Sequence, residues 1–160
     1  RKKTLKAYPF AKLASERLEV LNERVDNIKS KRKKRIYTKR IQKYLEGEFT
    51  DQLKKLTRTE GRILIKLIHR QTGNTAFNLV KDLRSGWKAF WYNSTANLFK
   101  LSLKVEYDPI NIEEDYLIED ILQRAFVDGN LIQQPSKLNF NYIEMSSKDV
   151  ILPKPPPKKN

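Results

Sequence analysis

Residues 57–73 constrain this chain more than any other stretch, because both of their ends are marked. Thr57-Arg58-Thr59-Glu60 has the form of a capping box. In such a box the Thr57 hydroxyl accepts from the Glu60 backbone N–H, and the Glu60 carboxylate reaches back to the Thr57 N–H. The run that follows, Ile63-Leu64-Ile65-Lys66-Leu67-Ile68, is apolar on nearly every side. Its length alone would allow a buried strand or a buried helix. The cap upstream and Gly73 downstream, a residue suited to the left-handed position that closes a helix, favour the helix. A helix apolar around most of its circumference belongs at the centre of a core.

The surroundings of that helix also read as helical. Ala7, Ala11, Ala14, Leu18, Leu21, Val25 and Ile28 recur at alternating spacings of four and three, one stripe of a helix and close to a heptad seam. Its small residues let a neighbour approach closely, and Pro9 is expected near the helix start, where a missing N–H is tolerated. The stripe fails at residues 29–35, where six of seven side chains are basic, predicting a helix break or a solvated helical turn. A second pattern, Ile41, Leu45, Phe49, Leu53 and Leu56, makes the two halves an α-hairpin or one long helix with a shifted register. Thr75 is placed to cap a short helix over 76–85, and the aromatic-rich residues 87–99 read as another. Asp108-Pro109 marks a turn. Residues 112–127 form a last amphipathic helix with Tyr116, Leu117, Ile121, Leu122 and Ala125 inward, ended by Gly129. The expected fold class is all-α: a multi-helix domain over residues 1–129, beginning with a long helix or helical hairpin. Residues 130–160 form an extended, Pro-rich tail, in which Leu138, Phe140 and Tyr142 alternate with polar residues and 153–159 favour polyproline II.

Composition narrows the functions available. With no Cys and one His among 160 residues, disulfide frameworks, thiolate zinc sites and cysteine nucleophiles are excluded, and a multi-His metal site nearly so. No run approaches the roughly 20 apolar residues of a membrane span. The 33 basic and 19 acidic residues give a net charge of +14, unevenly spread. Residues 1–56 carry net +11, 57–100 net +6, 101–129 net −6 and 130–160 net +3. Such an excess attracts anionic partners: nucleic acid, anionic lipid or an acidic protein. The acidic stretch either packs on basic helices of the same chain or faces solvent.

Each concentration of chemistry has a plain structural reading beside a functional one. His69 lacks a nucleophile and an orienting acid in any recognisable motif, so it reads as a structural residue. Glu113, Glu114, Asp115, Glu119 and Asp120 could hold a cation or do acid–base work, but acids at a helix start also complement its dipole. Lys29, Lys31, Arg32, Lys33, Lys34 and Arg35 form a candidate partner or anion site. Trp87, Phe90, Trp91 and Tyr92 could stack on bases; helical spacing makes them core residues more often, with Trp87, Trp91 and Tyr92 as candidate interface anchors. Leu138, Phe140, Tyr142, Pro153 and Pro155 are candidate docking residues of the tail. No motif calls for a catalytic residue, a cofactor, a metal or a small-molecule substrate.

Ala7-Tyr8-Pro9-Phe10-Ala11-Lys12-Leu13-Ala14 resembles the entry motif of a Bacteroidota family classed as domain-of-unknown-function family 4294. Residues 61–68, Arg70-Gln71-Thr72-Gly73-Asn74-Thr75 and Glu106-Tyr107-Asp108-Pro109 extend the resemblance, which spans roughly residues 3–128. Tyr8, Pro9, Arg70, Thr72, Gly73, Asn74 and Thr75 are its motif residues. The resemblance implies an exported protein with a signal peptide removed upstream, in the periplasm, with the cytoplasm as the alternative. It further implies kinship with PorD-like accessory proteins of the type IX secretion system. The resulting expectation is a non-enzymatic accessory or structural subunit of a cell-envelope complex, binding protein subunits, with possible peripheral contact with the membrane. The alternative is a nucleic-acid-binding module using the basic N-terminal half and the aromatic helix.

Overall fold

The computed structural model describes residues 1–80 and 102–151, with side chains except at positions 42, 45, 46, 48–50, 52, 80 and 148–151. Six helices lie in the described residues: α1 (Lys2–Asp26), α2 (Lys31–Lys54), α3 (Arg58–Thr72), α4 (Ala76–Val80), α5 (Glu113–Val127) and α6 (Tyr142–Ile151). No strand occurs among the described residues, and the fold is all-α.

The centre is α3 against α1, the most extensive helix pairing among the described residues. Ile63, Leu64, Ile65, Leu67 and Ile68 are all buried. Both ends of α3 are closed as its residues dictate. The Thr57 hydroxyl accepts from the Glu60 N–H at 3.3 Å, and the Glu60 carboxylate accepts from the Thr57 N–H at 2.8 Å. Gly73 takes φ +70° and donates its N–H to the His69 carbonyl. On α1 the buried face is Thr4, Ala7, Tyr8, Ala11, Ser15, Leu18 and Val25. Its alanines and serine let α3 approach closely. Pro9 is not at the helix start, as expected, but inside α1, because the helix already begins at Lys2.

Between α1 and α2 the helix breaks at residues 27–30, not across the whole basic run. The five residues 31–35 are helical and open α2, which excludes one continuous helix. Ile41, Leu53 and Leu56 turn toward the core. Thr75 accepts from the Asn78 N–H and starts α4. The aromatic helix expected over 87–99 lies outside the described residues.

Helix α5 is rotated from the sequence expectation. Its buried face is Asp115, Ile118, Glu119, Leu122 and Ala125, while Leu117 is 51% exposed. Periodicity over apolar residues places Leu117 inward; the buried face is turned toward Asp115 and Glu119 because Lys66 and Arg70 pair with them. The last segment also differs from a wholly extended tail. Leu131, Leu138 and Phe140 pack against the core, and residues 142–151 are helical. The Lys137 N–H donates to the Arg70 carbonyl at 2.9 Å, so residues 131–140 are held along the domain.

Candidate functional site

Among the described residues, the densest constellation of ion-paired groups lies between α3 and α5. Their backbones barely approach each other, and long side chains cross the gap. Lys66 and Arg70, four apart on α3, face Asp115 and Glu119, four apart on α5, making a two-rung ladder. Arg70 donates Nε to Glu119 Oε2 at 2.7 Å and Nη2 to Oε1 at 2.8 Å, a bidentate pair. The Lys66 ammonium donates to Asp115 Oδ1 and, at 2.9 Å, to Glu114 Oε2. Glu114 also accepts from Arg62 at 2.6 Å on the exposed rim. Asp115 and Glu119 are fully buried, and Arg70 is 1% exposed. Charges this deep persist only when paired and hydrogen-bonded.

The loop before α5 fills the gap between the rungs. The Tyr107 hydroxyl donates to Glu119 Oε2 at 2.8 Å and lies 2.9 Å from the Asp115 carbonyl. The Asp108 N–H donates to Asp115 Oδ2 at 2.9 Å, and the Tyr107 N–H donates to His69 Nδ1 at 2.8 Å. Gln123 gives Glu119 a further donor at 2.8 Å. Glu119 therefore accepts four hydrogen bonds. Burial works to raise its pKa, yet the bonds and charge of Arg70 hold it below the ordinary carboxylate range. Burial and the adjacent Glu119 carboxylate push the Tyr107 phenol far up, so it remains a donor. Burial lowers the pKa of His69, whose Nδ1 must stay unprotonated to accept from Tyr107. A group poised for proton transfer needs a free lone pair or proton facing a substrate; these carboxylates already meet protein donors on both oxygens. The arrangement is a clamp.

The clamp continues into α1 and the C-terminal segment. Arg70 Nη1 donates to the Gln134 carbonyl at 3.2 Å, and the Ser136 hydroxyl to the Arg70 carbonyl at 3.2 Å. The Tyr8 hydroxyl donates to the Ile132 carbonyl at 3.1 Å and accepts from the Gln134 N–H at 2.8 Å. Thr72 and Asn74 bond each other through the turn at Gly73. Of the motif residues, Tyr8, Arg70, Thr72, Gly73, Asn74 and Thr75 thus shape the fold. Pro9 is exposed on α1.

The candidate binding residues separate. Lys29 is exposed in the turn after α1; Lys31, Arg32, Lys33 and Arg35 are exposed at the start of α2. Lys34 is half-buried and lies 3.7 Å from Asp26. Leu138 and Phe140, offered as docking residues, are partly buried against the core, Phe140 6.3 Å from the Tyr107 ring. Tyr142 stacks on Tyr116 and donates to Asp120 at 2.7 Å; burial and Asp120 push its pKa up to about 12. Trp87, Trp91, Tyr92, Pro153 and Pro155 lie outside the described residues. No group of three or more potential metal ligands occurs among the described residues, and no described helix is long and apolar enough to cross a membrane.

The sequence left the acidic stretch either packed on basic helices of the same chain or facing solvent; the structure packs Asp115 and Glu119 on α3, and the pairwise ladder is what the sequence reading missed. Its signal was Lys66 inside an otherwise apolar run. A cation there requires a buried partner, and the pair Asp115/Glu119 repeats the spacing of Lys66/Arg70.

A family model described as "Domain of unknown function (DUF4294)" matches residues 1–124. No curated protein and no solved structure matches the chain. The chain belongs to that domain family.

Proposed function

We propose that this member of the family is a non-enzymatic docking subunit of a cell-envelope assembly, the type IX protein secretion machinery. It works in the periplasm and holds partner proteins through helix faces and the basic surface of α2. The observation that carries this reading is the contrast in how charge is used. The acidic groups a hydrolase would need are occupied by Lys66 and Arg70. Lys31, Arg32, Lys33 and Arg35 stand exposed with no carboxylate partner among the described residues. Free cations on one helix suit an acidic protein surface or an anionic membrane face. The resemblance to PorD-like accessory proteins supplies the choice of assembly and compartment. Purification of the tagged full-length protein from its own cells tests it: envelope proteins of that machinery should accompany the chain. Recovery of the chain alone contradicts the reading.

The same basic run favours nucleic acid as the second reading. That reading requires binding to DNA or RNA at low salt that weakens steeply as salt rises. Absence of binding at low salt eliminates it.

A further inference from the structure

We propose that the trough between α1 and α2 receives an acidic amphipathic helix of a partner protein. This rests on the docking reading above and specifies where and what the chain docks. A cleft of about 490 Å³ lies between the two helices. Its apolar floor is Leu13, Val20, Leu21, Ile41 and Tyr44, with Val20 and Tyr44 each 46% exposed. Contiguous apolar surface left open in this way marks an interaction site.

The rim carries Arg17, Arg24 and Arg40. None of these guanidinium groups has an ion-pair or hydrogen-bond partner among the described residues. Among the described residues the single acid of the rim is Glu16, paired with Lys12 at 3.3 Å. The cleft thus presents three cations that no described acid compensates, around an apolar floor. Arginine is the cation best suited to carboxylates at an interface, because its fork matches their geometry.

The shape favours a helix over a compact ligand. Along α1 the cleft runs from Leu13 to Arg24, about 16 Å at the helical rise, or three turns. A second cleft of about 340 Å³ shares Leu13 and Glu16 and continues toward Pro9 and Leu131, lengthening the frontage to about 22 Å. Arg17 and Arg24 are one heptad apart, so carboxylates seven apart on an incoming helix meet both, while its apolar stripe covers Val20 and Leu21. Arg40 on α2 answers a carboxylate on the other flank. The acidic helix of a second copy is a poorer fit. Its Glu114, Asp115, Glu119 and Asp120 already pair with Arg62, Lys66, Arg70 and Arg124.

A photo-crosslinking amino acid at Val20 of the full chain, expressed in its own cells, tests this. The expected adduct is a peptide of another protein, with apolar residues at helical spacing and flanking Asp or Glu. Arg17→Glu/Arg24→Glu/Arg40→Glu should cut its yield at least about tenfold with an unchanged circular dichroism spectrum. The corresponding Arg→Gln triple variant serves if the reversal disturbs folding, and should also reduce the yield. An adduct to a second copy, to lipid or to a segment without carboxylates overturns the inference; so does no adduct, or a yield that ignores both variants. If envelope partners still co-purify while Val20 captures none, the trough fails and the docking reading stands. Absence of partners from the unmodified chain removes the docking reading itself.

Discussion

Arg62, Lys66 and Arg70 of α3 each meet a carboxylate of α5, whereas of residues 31–35 opening α2 only Lys34 has an ion pair among the described residues. Both helices carry several cations but differ in what surrounds them. Lys66 and Arg70 lie in a low-dielectric interior, where an unmatched charge would be costly. The α2 cations lie in water, and they also oppose their own helix dipole, since α2 has no acid in its first turn. Charge in α3 therefore fixes architecture, while Lys31, Arg32, Lys33 and Arg35 of α2 meet no carboxylate among the described residues and, on the proposed reading, serve a partner.

The largest expected effect breaks the α3 side. Glu119→Ala leaves Arg70 buried and unpaired, so the unfolding free energy should fall by about 3–5 kcal/mol in urea. The double variant Arg70→Met/Glu119→Leu removes both charges and should recover most of that loss. Recovery would separate the penalty of an orphaned charge from the net contribution of the pair.

Acid should expose the same clamp in two steps. Burial depresses the His69 pKa below 6.5, so at slightly acidic pH the unfolded chain binds more protons than the folded one. Stability is then fully present above about pH 6.5 and falls as pH drops toward the folded value. The acids facing this ring, Glu106 and Asp115, oppose the depression without reversing it. Glu119 and Glu114, both held below 4.5, contribute stability above that pH that is lost as pH falls through their folded values. Urea midpoints measured between about pH 7.5 and 5.5 should decline for the natural chain. His69→Gln should flatten this first step and leave the carboxylate step in place.

A smaller effect lies at the α3 N-terminus. Thr57→Ala removes the acceptor for the Glu60 N–H and should cost about 1 kcal/mol in the same assay.

Much of the architecture was legible because it depends on local chemistry. Thr57, Glu60, Gly73 and Thr75 mark helix ends through hydrogen bonds within a few residues, and the small-residue stripe of α1 reports its own buried face. What stayed hidden depends on distant partners. The burial of Asp115 and Glu119 stayed open because a carboxylate's burial is decided by the cation opposite, here about 49 residues away. Leu138 and Phe140 read as free because a segment without periodicity gives no direction for its apolar side chains. Residues 31–35 read as a break or a solvated helical turn, since like-charge repulsion was visible and the support of the helix that follows was not. The trough was obscured for the same reason: it exists only where α1 and α2 lie side by side.

The division between structural and free charge is tested most directly on α2, in the variant Lys31→Glu/Arg32→Glu/Lys33→Glu/Arg35→Glu. Its unfolding free energy and its co-purifying proteins are measured together, beside the natural chain. The account predicts a stability change within about 0.5 kcal/mol, with acids now favourable at the helix start, and loss of the accompanying proteins. Retention of those proteins, or a stability loss beyond about 2 kcal/mol, would contradict it.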